Sequence, residues 1–530
     1  MSINQKNYSK NHPHTSSPIS CLNLFLIFIF ITLATLNLFL NLKGKRHQNL
    51  LPTLDQATCQ HRLSLTSLDP EAICQLLVGR QFAGNFKLSE TSTFQLQSTS
   101  QTDQTPTIPE STYQNTDFLI TKIELPVTDF YSPLSTVSTS QISDPNFLIT
   151  HQISLIDYKT LTATQKLLDI EGNYYLDHPD TGARFTILQI SAEQTETISQ
   201  LKQLLAPLST TNLQQKQIVT LAETGVTALT RRLTFKLNQV PSGAFFAENL
   251  TNFFKNKTYT HLCNEVSFTN NCQGSYQSMS LCADWRMLDS ISSLGTNKII
   301  ELTGNHNNDA GQDNNLKTIA KYRALGYKIV GGGENLTQAS TPLDLPGSIR
   351  LLAYNHSTSS VANGQLATAQ SPGANPYNEA RVKQDIAEAK ARQLFTIVNI
   401  QFFECYAYPN SPVAYPACDT PIQNQQAFFR HLIDLGADIV VGTSAHQPQT
   451  FELYQHKPIF YGLGNLFFDQ IYWPDTRRSL ILTHYFHDKH HLQTKISPTS
   501  YDETFQTRLL NSDEAITFLS RLINASPKGK

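Results

Sequence analysis

The stretch DIVVGTSAHQPQTFELYQHKPIFYGLGNLFFDQ, Asp438 to Gln470, decides how the rest of the chain is read. It opens on residues 439–441, an apolar β-branched run of the kind that forms a buried strand. Gly442 ends the run, and Thr443, Ser444, Ala445, His446 and Gln447 follow as small or polar residues. A second strand is expected over 458–463, closed by Gly464-Asn465 and followed by Phe467, Phe468 and Asp469. In open α/β folds ligands bind where strands end and the chain turns, so His446 lies where a functional imidazole would be placed.

Working outward, the same pattern recurs. KIIELTGNHNNDAG (298–311) has a short apolar strand, a glycine that permits a tight turn, then Asn305 and His306, with Asp309 one turn later as a partner able to fix the imidazole tautomer. HLCNEVSF (261–268) places Asn264 and Glu265 at another strand end. QIVTLAETGVTALTRRL (217–233) begins as a strand and carries Arg231. An apolar strand over 395–401 leads to Glu404, and residues 351–354 lead to Asn355-His356. Gly331, Gly332 and Gly333 offer backbone N–H groups to an anion but lack the lysine of a P-loop. Helical spacing is expected over 195–208 and 284–294, and helices over 377–392 and 513–523.

The run GTSAHQPQ…ELY…IFYGLGNLFFDQ, with the Asn-His turn, resembles the capsule-biosynthesis (CapA, poly-γ-glutamate synthesis) family over roughly residues 217–488. The resemblance implies a calcineurin-like metallophosphatase fold, an αββα sandwich of two sheets face to face with helices outside. In that family the turn usually reads G-x-H-x-H; here His446 stands at the second histidine and Ser444 at the first. The family's first strand ends Gly-Asp, the aspartate ligating metal; here Gly225 is followed by Val226, which cannot. The resemblance implies His306, His446 and Glu404 as catalytic groups, and Arg231, Asn264 and Asn465 as substrate contacts. Glu265, Asn305 and His446 are left to hold at most one divalent ion (Mn²⁺, Mg²⁺ or Zn²⁺). The alternative is chemistry without metal, an imidazole serving as acid or base beside a carboxylate. The function implied is synthesis, export or anchoring of an extracellular anionic polymer, such as poly-γ-glutamate or a cell-envelope glycan, alongside capsule-synthesis membrane proteins. The competing reading is a non-catalytic binding or assembly module on a degenerate phosphoesterase scaffold.

The remainder of the 530 residues sets the context. A net charge of −2 with 15% charged residues leaves no basic face for nucleic acid. Cys21 to Leu42 is an uncharged, apolar span of 22 residues followed by Lys43, Lys45 and Arg46, as in an uncleaved membrane anchor. Lys6 and Lys10 precede it, so the count of flanking cations slightly favours the opposite orientation to the one the cysteines imply. Three local cysteine pairs are expected, Cys59–Cys74, Cys263–Cys272 and Cys405–Cys418, with Cys282 left over or competing. Each would contribute about 3 kcal/mol in an oxidising compartment, which places the main domain outside the membrane. The expected organisation is a tail over 1–20, the anchor over 21–42, a small segment and polar linker over 43–116, an N-terminal domain over 117–214, the CapA-like domain over 215–500 and a C-terminal tail with a helix over 501–530.

Overall fold

Successive residues of the strands beyond Ile218 point alternately into two different cores, and that alternation makes the domain a sandwich. The computed structural model describes residues 52–96, 115–270, 272, 280–356, 364–402, 421–443 and 445–527. The apolar span at 21–42, Glu404, Cys405, Cys418 and Ser444 lie outside the described residues. Among the described residues no helix is long and apolar enough to cross a membrane.

In chain order, β1 (Ile218–Thr227), β2 (Tyr259–Asn264), β3 (Lys298–Glu301) and β4 (Lys328–Val330) pair side by side in parallel. The chain then builds a second, six-stranded sheet from β5 (Leu343–Leu345), β6 (Ile349–Asn355), β7 (Phe395–Gln401), β8 (Ile439–Gly442), β9 (Phe451–Tyr454) and β10 (Lys457–Phe460). Its central strands β6, β7, β8 and β10 are parallel, and β5 and β9 close the edges antiparallel. The chain returns to the first sheet with β11 (Asn465–Phe467) beside β1 and the antiparallel β12 (Arg478–His487), β13 (His490–Ser500) and β14 (Arg508–Leu509).

Leu221 and Ile299 of the first sheet and Leu351, Ile397, Ile439 and Val441 of the second share one apolar core. Ala222, Leu262 and Ile300, one step along, face helices on the outside of the first sheet, α1 (Arg232–Leu237) and α2 (Gln312–Ala324). Leu352, Val398, Ile400 and Val440 face α3 (Glu379–Ala391) and α4 (Pro421–Leu435) on the other side. Strands buried on both faces read as nearly continuous apolar runs, which is why 439–441 is so legible. The helix α5 (Ser512–Ala525), started by an Asn511–Glu514 capping box, closes the inter-sheet core with Phe518, Leu519 and Leu522. Gly331 is explained by packing: its φ is +70°, and a Cβ there would lie 2.7 Å from the Cβ of Ala353.

The described chain forms two compact units. One comprises the residues up to Thr91 with 115–119 and 188–209; its helices Gln56–His61, Pro70–Leu77 and Thr195–Leu205 pack around Cys59, Ile73, Phe86 and Leu201. The other comprises 92–96, 120–187 and everything from Thr210 onward, so the stretch 117–214 is divided between them. Within this second unit, Leu125, Tyr175 and Phe185 share a core with Ile218 and Tyr485 of the first sheet.

The cysteines correct one expectation. Cys59 and Cys74 are joined, but Cys272 is joined to Cys282, and Cys263 is free and buried. Cys263 sits mid-row in the first sheet between Val226 and Glu301, so its side chain belongs to the sheet interior rather than to the following loop. Peptide mapping of the unreduced chain is expected to return Cys59 with Cys74 and Cys272 with Cys282, with Cys263 alkylated only after unfolding. A Cys263–Cys272 peptide would contradict this arrangement.

Candidate functional site

Parallel strands deliver their C-terminal ends to one edge, and here both sheets do so together. Across the first sheet Asn465, Val226, Cys263 and Glu301 stand in one row. In the second sheet Asn355 pairs with Gln401, and Ile400 with Gly442. The turns that follow carry nearly every polar residue singled out from the sequence.

The Asn-His turn is set by close packing. A Cβ on Gly304 would lie 2.6 Å from the Cα of Glu265, so only glycine lets these two turns touch. His306 bridges to Val266, which brings Asn305 alongside the fully buried Glu265. His306 Nδ1 lies 2.6 Å from Asp309 Oδ2, the partner expected from the spacing. Asp309 is itself held by the Leu281 amide at 2.9 Å and Gln365 Nε2 at 2.8 Å. Leu281 adjoins Cys282, so the second disulfide anchors the loop that orients the dyad. With Nδ1–H donated to Asp309, Nε2 is the nitrogen that carries the ring's lone pair in the neutral form.

His446 forms the other half. Its Nδ1 donates to Asn465 Oδ1 at 2.9 Å, while Asn465 Nδ2 donates to the His446 carbonyl at 2.8 Å. Its ring stacks on Phe468 with centroids 5.1 Å apart, and the Arg231 guanidinium lies 4.7 Å from the centre of the same ring. Arg231, in the left-handed region at φ +51°, is clamped by Asp469, its Nε lying 3.1 Å from both carboxylate oxygens. The structure thus brings Arg231, His446 and Asn465 together. It seats Asn264 beside Thr227, with Nδ2 donating to the Val266 carbonyl at 2.7 Å and a buried Oδ1 that has no hydrogen-bond partner.

Several residues escaped the sequence reading. Gln401, fully buried, donates to Asn305 Oδ1 at 3.2 Å and leaves its own Oε1 unpaired. Asp469 holds Arg231. Behind the turns, between the sheets, the buried Glu301 carboxylate accepts from His261 Nε2 at 2.9 Å, Asn399 Nδ2 at 2.9 Å, Thr443 Oγ1 at 2.7 Å and Thr303 Oγ1. The available signal was a charged or amide residue inside an otherwise apolar strand: Glu301 in KIIEL, His261 in YTHLC, Asn399 in TIVNI. His356 packs among Phe402, Tyr377 and Phe428, where burial pushes its pKa down.

A two-metal centre does not fit these residues. Val226 occupies an apolar core position, and among the described residues no group of three or more His, Cys, Asp or Glu side chains could hold a metal ion. The donor set is instead one carboxylate, Glu265, with the amide oxygens of Asn264, Asn305 and Gln401 nearby on the strand ends.

Residues 220–470, which open in β1 and close one residue beyond Asp469, match the family described as bacterial capsule synthesis protein PGA_cap. These residues, just under half of the chain, are the part that belongs to this CapA family. It is 29% identical over 195 residues to the capsule biosynthesis protein CapA of Bacillus anthracis, covering 36% of this chain and 44% of that one. It is 28% identical over 191 residues to the PGA biosynthesis protein CapA of Bacillus subtilis, covering 35% and 46% respectively. The matches thus span less than half the length of these curated relatives. Among solved structures, that of TT1561 of Thermus thermophilus aligns over 56% of this chain and 99% of its own at 9% identity, with a TM-score of 0.28, which adds nothing to the fold described above.

In this CapA-family chain the Glu301 network is the part whose energetics are most open to measurement. Burial alone would neutralise both partners, but the hydrogen bonds and charges of the pair prevail: His261 titrates above its ordinary 6.5 and Glu301 below its ordinary 4.5. The His261 contribution is complete below pH 6.5 and is lost as pH rises through its elevated pKa. The Glu301 contribution is complete above pH 4.5 and is lost as pH falls through its depressed pKa. Stability against denaturant should therefore be greatest between about pH 4.5 and 6.5 as far as this pair is concerned. Glu301→Gln should cost about 3 kcal/mol or more, since it leaves His261 buried without its counter-charge, and should flatten that pH dependence. An unchanged pH profile in the variant would show that the pair is not ionised.

Proposed function

We propose that the 220–470 domain acts in making, exporting or anchoring an extracellular anionic polymer, with His306 and His446 as its proton-transfer groups. The observation that carries this reading is the pair of imidazoles at one end of the sandwich, each with Nδ1 fixed by a side-chain oxygen, Asp309 at 2.6 Å and Asn465 at 2.9 Å. Such partners hold the tautomer and aim Nε2, the arrangement an acid–base group requires. His306 thus has a carboxylate as its partner and His446 a neutral amide. Arg231, Asn264 and Asn465 are the groups that would orient a polar, negatively charged chain.

The names of the relatives point the same way, since both concern capsule or PGA biosynthesis. The reaction is hydrolysis or transfer at an amide, ester or phosphoester of the polymer, on a scaffold of the metallophosphatase kind. In the alternative that uses a metal, at most one divalent ion would be held, with Glu265 and Asn305 as oxygen ligands and His446 as the nitrogen ligand in place of its proton-transfer role. When bound it would polarise the bond under attack. The disulfides Cys59–Cys74 and Cys272–Cys282 support an oxidising compartment, hence a main domain outside the membrane with 21–42 as its anchor. Val226, a core residue where the family's aspartate stands, favours the second reading, a polymer-binding module without turnover.

The two readings separate in one experiment. Purified full-length chain is incubated with γ-linked oligoglutamate and with acidic oligosaccharides, and chain length is followed by mass spectrometry. Cleavage or transfer that falls by about 10²-fold or more in His306→Ala and in His446→Ala supports catalysis. Binding without any change in chain length, in wild type and variants alike, supports the module.

Metal content gives an independent check. At most one equivalent of Mn, Mg or Zn should remain per chain, lost on dialysis against chelator and in His446→Ala, with slow turnover of simple phosphoesters. Two firmly retained ions and fast phosphoester turnover would mean that ligands beyond those named complete the site.

A further inference from the structure

Beside β13 lies a group of lysines whose charges do not balance. Lys495 pairs with Asp169, its Nζ 3.1 Å from Oδ1, and Lys257 pairs with Asp177 at 2.7 Å. Lys166, on the strand Gln165–Leu167, has no carboxylate partner among the described residues; its Nζ donates to the Ser132 carbonyl at 2.8 Å. Three ammonium groups thus share two carboxylates, and the unmatched one is Lys166. Burial lowers its pKa to about 7, an effect that the Asp169 carboxylate offsets in part and the Lys495 charge increases.

A cavity of about 30 Å³ stands at this point. Lys166, Lys495 and Tyr174 line it, and the rest of its wall includes the apolar Phe130, Leu167 and Ile496. Tyr174 is only 2% exposed, and its hydroxyl has no hydrogen-bond partner. Burial and the carboxylates of Asp169 and Asp177 hold that hydroxyl in its protonated form, so it can donate. Lys495 Nζ lies 4.1 Å from the centre of the same ring.

Two ammonium groups and an unused phenol O–H are all donors, and what they lack is an acceptor that carries negative charge. About 10–15 Å³ of such space admits one water, so the cavity suits a single-atom ion and is too small for a phosphate. A water would accept from the donors but would leave the Lys166 charge unmatched, which is the costly part of the arrangement.

We propose that this cavity is a binding site for a monovalent anion of halide size, held by Lys166, Lys495 and the Tyr174 hydroxyl. The ion would tie two parts of the chain together. Lys166 and Tyr174 come from the 120–187 stretch, and Lys495 comes from β13 of the first sheet. Gln493 of β13 already donates to the carbonyls of Thr162 and of Gln165, the latter at 2.8 Å, so the anion adds charge to a junction that amides hold in register. Its binding requires Lys166 to be protonated. Affinity is therefore greatest below about pH 7 and falls as pH rises through that value.

The test is thermal unfolding of the full-length chain in sodium chloride, acetate or gluconate at one fixed sodium concentration. At a pH about one unit below 7 the transition should rise saturably with chloride relative to gluconate, and about two units above 7 it should rise much less. Lys166→Met should abolish the chloride-specific rise, and Tyr174→Phe should increase the chloride concentration at half-effect by about tenfold. A chloride-specific rise that persists in Lys166→Met places the ion elsewhere and overturns the site, as does the absence of such a rise in the wild type. An equal rise with acetate overturns the halide assignment. Anomalous scattering from crystals of the wild type grown in bromide decides the matter without any variant: a peak beside Lys166 Nζ supports the site, and an empty cavity overturns it.

Discussion

A single buried carboxylate fixes the relation between the two sheets at the end where the polar turns gather. Glu301, at the end of a first-sheet strand, accepts from His261 in the same sheet and from Asn399 and Thr443 in the other. An ionised carboxylate between apolar sheets is tolerable only if its lone pairs are filled, and four donors fill them. Three of the donors stand shortly before a site residue. Thr303 leads to Asn305 and His306, Thr443 leads to His446, and Asn399 lies two residues before Gln401. The charge therefore does more than hold two sheets together: it sets the spacing from which the turns set out, and a shift at Glu301 would move all of them. A second buried pair, Glu223 and His484 at 3.3 Å, extends the polar layer deeper along the first sheet.

Much of the fold was legible because burial writes itself into strand composition. Residues 439–441, 299–300 and 397–398 are apolar because both faces of each sheet are covered, and the helix expected over 377–392 appears as Glu379–Ala391. The site was legible as far as its turns were. His306 with Asp309 follows from spacing along the chain. What spacing does not encode is which strand lies beside which. Gln401 reaches Asn305 across 96 positions, and Asp469 reaches Arg231 across 238. Cys263 failed for the related reason that proximity in sequence competed with strand direction: its side chain is inside the sheet, and Cys272 found its partner in the following loop. The polar residues of the inter-sheet network were visible as exceptions within apolar runs, but nothing in the sequence says that Glu301, His261 and Asn399 meet.

The departures from the family pattern have a physical coherence. Val226 packs in the core and the neighbouring thiol of Cys263 is fully buried, its pKa pushed well up by burial and by the carboxylates of Glu301 and Glu265. The centre of the strand-end row is thus apolar and neutral, where a two-metal site would need a concentration of negative charge. The groups left around it are amides, Asn264, Asn305, Gln401 and Asn465. Amides bind by geometry rather than by charge and do not attract a second cation.

An amide-lined end beside an arginine-bearing wall changes what the scaffold selects. A carboxylate-rich pocket with two metals pulls in phosphate oxygens by field strength, over distances set by the Debye length. Here the guanidinium beside His446 is that of Arg231, ion-paired with Asp469 and lying over the Phe468 ring on which the imidazole stacks, so its charge is already met within the chain.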